Sequence, residues 1–221
     1  MRISFFLLFA IICVTSFIFE AYAEETEAEG YSVAKVPEMK FKIDDFERNE
    51  MLNYLNGKAN VYVMAPSRIM VSVREDVYQG EKTNVLMLKY DKKNEGGPYE
   101  TGGWCGYYSL LKNEKKGEYF NASRFKYLTF LVKGTKGDEN FKVGVADRHW
   151  DKIGDSLKSE PIGKYLSAGK LTTDWQIARI PLDVYFLDYT RLSSIAICFE
   201  GDCFPNGAGS GTVYFDNVAF E

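Results

Sequence analysis

The chain has 221 residues, 46% hydrophobic and 15% aromatic, with 31 acidic against 27 basic side chains and a net charge of −4. That length suits one domain with a tail, and the lack of any basic stripe or run of like charge excludes nucleic acid as a partner. A single histidine, no G-x-S-x-G elbow and no acidic pair in a recognisable catalytic setting leave no catalytic residue to assign, so a binding or assembly role is favoured over a glycan-active enzyme.

The N-terminus reads as a secretory leader. Arg2 precedes an apolar run from Ile3 to Phe19, Glu20 ends it, and Ala21-Tyr22-Ala23 follows. A positive start, an apolar stretch and small residues at an A-x-A site predict cleavage after Ala23, with residues 1–23 removed. Losing Arg2 and Glu20 keeps the charge at −4, and no second long apolar run remains to span a membrane. The expected location is secreted or periplasmic. Residues 24–38 are polar and acidic and read as a linker; the domain is expected over 39–221.

From Met39 onward the pattern is one of short strands. Phe41–Glu47 alternates and then loses its period at an acidic end. Val61–Met64 and Ile69–Val73 flank a Pro66-Ser67 turn, and Asn84–Tyr90 follows as a strong strand. Trp104–Leu111 leaves a glycine-rich loop; Tyr127–Val132 is almost continuously apolar and reads as a central strand. Phe141–Asp147, Trp175–Pro181, Ser194–Phe199 and Thr212–Phe220 complete the set. About ten strands with turn signals between them predict an all-β, two-sheet antiparallel sandwich. Helical periodicity is weak; the candidates are Glu50–Leu55 and Leu187–Leu192.

Four stretches, FKIDDFE from Phe41, YLTFLVKG from Tyr127, TTDWQIARIPL from Thr172 and GTVYFDNVAFE at the end, resemble in their order the calcium-bearing, jelly-roll carbohydrate-binding modules of the galactose-binding-domain-like superfamily. They are also similar to domains near the complex I intermediate-associated family. The resemblance implies a jelly roll whose first and last strands lie side by side. It further implies a structural Ca²⁺ held by the side chains of Glu47 and Asp216 and the carbonyl of Asp45, with further carbonyls from Gln79–Lys82. Hard oxygen ligands of this kind suit calcium. The alternative is a solvated strand end.

Two stretches combine aromatic faces with hydroxyl-reading polar groups, as sugar binding requires. One is the glycine-rich Gly96–Tyr108, with Trp104 and Tyr107 as candidates. The other is Asp147-Arg148-His149-Trp150-Asp151, read as a strand running into a loop, with Asp147, Arg148, His149 and Trp150 as candidates. The expected ligand is a carbohydrate or glycan-like molecule, the alternative an envelope protein contacted through the same fold. Of Cys105, Cys198 and Cys203, the last two bracket a short loop and are the candidate disulfide, leaving one thiol unpaired.

Overall fold

Alternation of side chains decides which way each strand faces, and in this chain it builds two apolar inner faces that close on one another. The structure, a computed structural model, describes residues 40–48, 50–98 and 102–221. The expected leader, the acidic linker and the loop positions Tyr99–Thr101 lie outside the described residues. The strands are β1 (Phe41–Asp44), β2 (Ala59–Val63), β3 (Arg68–Tyr78), β4 (Glu81–Lys92), β5 (Cys105–Leu110), β6 (Tyr127–Gly134), β7 (Lys142–Asp147), β8 (Leu157–Lys158), β9 (Gln176–Pro181), β10 (Leu192–Phe199) and β11 (Gly209–Phe220). A short helix, α1 (Arg148–Ile153), joins β7 to β8. No helix among the described residues is long and apolar enough to cross a membrane.

One sheet runs β3-β4-β11-β6-β9, with β1 also on β11; the other runs β2-β5-β10-β7-β8. Every pairing is antiparallel, so the expected all-β sandwich is the observed fold. The twelve residues of β11 serve two neighbours on one edge: Gly209–Phe215 pair with β4, and Val218–Phe220 with β1. The first and last strands are therefore adjacent, in the register Phe41 to Phe220. A bulge at Asn217, whose φ is 51°, separates the two halves.

Leu86, Leu88, Phe130, Val132, Phe141, Ile180, Phe199, Val213 and Phe215 fill the space between the sheets. Tyr90 stacks on Phe199 across it with ring centroids 3.9 Å apart. Each such side chain, fully buried, stabilises the fold by roughly 1.5–3 kcal/mol. The β3–β4 hairpin is longer than the sequence pattern suggests and turns on Gln79 and Gly80, both at positive φ, as a two-residue hairpin turn requires.

Neither expected helix forms. At Glu50–Leu55, the Asn53 side chain accepts from the N–H groups of Leu55 and Gly57 and donates to Ser109 and the Leu110 carbonyl. That side-chain turn competes successfully with helical hydrogen bonds. At Leu187–Leu192, Asp188 ties the turn by accepting from Thr190 and Arg191, and Leu192 already belongs to β10.

Candidate functional site

Cys105 and Tyr107 of β5 face the core, so Trp104, Gly106, Tyr108 and Leu110 face outward. Register carries this outer face across the sheet. Asn60 of β2, Tyr108, Ala196 of β10, Gly144 of β7 and Lys158 of β8 stand in one row. Tyr62, Gly106, Cys198 and Lys142 form the next. Both rows pass from aromatic side chains through a floor of small ones to lysines. Tyr108 to Lys158 spans three strand spacings, roughly 14 Å.

The far edge of this floor is charged. Lys158 reaches Asp155 at 2.6 Å and Glu200 at 3.5 Å, and Lys142 bonds Asp202. At the near edge the Tyr62 ring lies across Gly106: a Cβ at position 106 would stand 2.3 Å from the Tyr62 hydroxyl. Burial and the neighbouring Cys198 thiol push the Tyr62 phenol well above its ordinary range. Trp104 and Tyr108 are half-buried, leaving part of each ring open to solvent. The small floor residues are themselves covered, Gly106 by the Tyr62 ring and Gly144 by Ser156, so the surface offered consists of the aromatic residues at one side and the charged residues at the other.

Of the sequence-predicted ligand residues, Tyr107 is not on this face. It is 5% exposed and packs in the core, where burial and the nearby Asp44 carboxylate raise its phenol. Period-two alternation turns it inward and Tyr108 outward. Asp147 has a structural role. The segment 148–153 is a helix, not a loop, and Asp147 is its N-cap, accepting from the backbone N–H of His149 at 2.8 Å and Trp150 at 3.1 Å. Its second oxygen accepts from Asp188 N–H at 2.9 Å. Burial pushes this carboxyl up, but the three N–H groups more than offset that and hold it below its ordinary value.

Arg148 and His149 are exposed on α1, and Trp150 is half-buried. Asp151 turns the other way, to Lys112 at 2.7 Å and the Tyr119 hydroxyl at 3.2 Å. The two predicted clusters do not meet. Leu192 pairs with Asp147 and Phe199 with Cys105, so α1 and Trp104 lie at opposite ends of β10, roughly 23 Å apart.

The candidate disulfide is corrected as well: Cys105, Cys198 and Cys203 are free and buried. Cys198 projects from the outer face toward the Tyr62 hydroxyl, and the Cys203 sulfur lies 3.9 Å from the Cys198 carbonyl oxygen. Burial pushes the thiols of Cys105 and Cys198 up to about 12 and that of Cys203 to about 11, which makes them poor nucleophiles.

At the β1–β11 edge the carboxylates of Glu47 and Asp216 converge on one hydroxyl. Thr83 Oγ1 is 2.7 Å from Glu47 Oε1 and 3.2 Å from Asp216 Oδ2. A threonine hydroxyl has one proton, so it can satisfy one of the two at a time. Asp216 is 1% exposed, and burial, reinforced by Asp45 and Glu47, pushes its carboxyl up to about 6. The Asp45 side chain is engaged by Lys42 and Tyr54, each at 2.8 Å. Among the described residues no group of three or more His, Cys, Asp or Glu side chains is placed to hold a metal ion. Two carboxylates therefore need carbonyl or hydroxyl oxygens beside them. Thr83 and Asn84, not the hairpin tip, are the part of the β3–β4 hairpin that meets Glu47. The Gln79–Gly80 turn of the expected Gln79–Lys82 segment stands roughly 10 Å beyond Thr83, while Lys82 adjoins it.

Residues 38–221 match the model of the family described as carbohydrate binding domain 30. The chain belongs to this family. Residues 38–221 are a carbohydrate-binding module, and solved modules share its architecture. The family 30 module of the cellulosomal cellulase Cel9D-Cel44B of Clostridium thermocellum is 19% identical, with a TM-score of 0.56 over 83% of this chain and 97% of that one. The family 11 module of the cellulosomal cellulase Lic26A-Cel5E of the same organism is 16% identical, with a TM-score of 0.54 over 82% and 94%. A Clostridium thermocellum family 11 module in complex with a β-1,3-1,4-mixed-linked tetrasaccharide aligns with the same identity, coverage and score. At these identities the likeness shows the fold. No curated protein matches the chain.

Proposed function

We propose that this carbohydrate binding domain 30 protein is exported and binds a glycan without chemistry, on the outer face of the β2-β5-β10-β7-β8 sheet. The observation that carries the reading is the ordered row Asn60–Tyr108–Ala196–Gly144–Lys158, with an aromatic residue toward one side, small residues in the middle and a lysine at the other. Trp104 and Tyr108 supply stacking surface, and Lys158 with Glu200 reads hydroxyls. The β-1,3-1,4-mixed-linked tetrasaccharide in complex with the family 11 module is the natural first ligand to try. Tyr108→Ala should weaken binding of that tetrasaccharide by about 1–3 kcal/mol, taking the burial of a large side chain as the guide. Titration calorimetry of wild type and variant decides it: equal affinities in two equally folded proteins would remove Tyr108 from the site.

Two further features complete the reading. The leader is cleaved after Ala23, so the exported chain begins at Glu24. A structural Ca²⁺ is held by the carboxylates of Glu47 and Asp216 with the Asp45 carbonyl, and its role is to neutralise the charge that Thr83 leaves uncompensated. The first rests on the sequence pattern, the second on that pattern and on the convergence of the two carboxylates.

A further inference from the structure

A second concavity lies at the other end of β10. A cavity of about 330 Å³ is lined by Asp147, Arg148, His149, Lys152, Asp188 and Arg191. Arg148 and Lys152 are four residues apart on α1 and so share a face. Both are exposed, and among the described residues neither has an ion-pair partner.

The carboxylates nearby are already committed. Asp147 accepts three backbone N–H groups. Asp188 accepts from Thr190, backbone and hydroxyl, and from Arg191. Asp151, three residues from Arg148 on α1, is held by Lys112, and Asp155 by Lys158. The cavity thus presents a guanidinium and an ammonium with no acidic side chain paired to them, on a chain whose net charge is −4. Two residues before Asp188 in the chain, Phe186 is 98% exposed.

We propose that this cavity is a subsite for the carboxylate of a uronic acid residue in the bound glycan, with Arg148 and Lys152 as its partners and Phe186 as the surface on which the sugar ring stacks. A planar guanidinium accepts a carboxylate in two parallel hydrogen bonds, and the ammonium adds a point charge. The ring's C–H face supplies the apolar contact that a bare inorganic anion lacks. The inference rests on the glycan-binding reading above and adds to it an acidic substrate class and a second contact region.

The experiment compares a β-1,4-linked tetraglucuronate with its carboxyl-reduced counterpart, cellotetraose, by titration calorimetry at low and high salt. Wild type should bind the uronate about tenfold more tightly than the neutral sugar, the margin expected of charge-assisted hydrogen bonds. That margin should shrink as salt rises. Arg148→Gln with Lys152→Gln should erase the margin while leaving cellotetraose affinity and melting temperature unchanged. Should the double variant melt lower, Lys152→Gln alone carries the test, with a loss of about threefold. Uronate binding without cellotetraose binding, erased in the variant, would support the cavity and sink the sheet face. Equal affinities in wild type, or a margin that survives the substitutions, would overturn the subsite and leave glycan binding standing. Binding of neither sugar would overturn both.

Discussion

The ring of Tyr62 lies across Gly106, its hydroxyl only 2.3 Å from where a Cβ at position 106 would sit. The same Cβ would also stand 2.3 Å from the Ile197 carbonyl oxygen, which is backbone and cannot swing away. Gly106→Ala is therefore expected to lift Tyr62 off the sheet and strain the β5–β10 ladder, at about 1–3 kcal/mol. Urea denaturation measures the stability loss, and glycan titration measures the loss of the face. A variant with unchanged stability would mean that the ring packs elsewhere.

Asp216 offers the sharpest test of the calcium proposal. A cation that binds the folded chain and not the unfolded one raises the melting temperature by mass action. Wild type should melt higher in millimolar Ca²⁺ than in chelator. Asp216→Asn removes one of two carboxylates while keeping the size of the side chain, and should abolish the difference. A wild-type melting temperature indifferent to chelator would leave the Glu47–Asp216 pair as a charge cluster without a metal.

Two buried carboxyls predict how the metal-free protein responds to acid. Burial pushes both Asp44 and Asp216 up to about 6 from an ordinary 3.8. The folded state then holds these protons more tightly than the unfolded chain does. The sign follows: protonation favours folding, and this contribution is lost as pH rises from about 4 through 6. Lowering the pH of chelated protein from 7 to 5 should raise its stability by about 1 kcal/mol per group. Below about pH 4 the trend should reverse, because Asp45, Glu139 and Asp147 have lowered values and lose their hydrogen-bonded charge there. Stability that falls monotonically from pH 7 to 5 in chelator would contradict the burial of these two carboxyls.

The sandwich was legible because period-two alternation and strand-to-strand turns are local signals. The β1–β11 adjacency followed from the resemblance of the two end strands. The binding face was harder to read. Alternation alone places Trp104 and Tyr108 on one side of β5 and Tyr107 on the other, yet which side meets the core depends on β10 and β2, which come from distant parts of the chain. Lys158 and Glu200 join the face only through register. At Asp147 the local signal was that of a helix start: an aspartate stands before Arg-His-Trp-Asp, and its carboxylate accepts backbone N–H groups. The free cysteines show the limit of spacing arguments, since Cys198 projects from a strand face toward Tyr62 and not toward Cys203.

Asp147 separates a structural role from a ligand-reading one. Its two oxygens accept from His149, Trp150 and Asp188 N–H, so it starts α1 and pins the loop before β10 in one stroke. Asp147→Ala leaves those three donors without the carboxylate and should cost about 1–2 kcal/mol, the range of a lost N-cap with a further bond. Asp147→Ser keeps a cap oxygen for α1 but cannot reach both ways, and should fall between wild type and alanine. Because its folded-state value is lowered, the carboxylate's contribution is present above the ordinary aspartate range and disappears as pH drops through the folded value; the gap between wild type and Asp147→Ala should close in that window. Cellotetraose affinity should stay unchanged in both variants, since the sheet face centres on Tyr108 and Trp104 toward the other end of β10. An alanine variant that lost sugar binding while keeping full stability would return Asp147 to the ligand site and remove it from the cap.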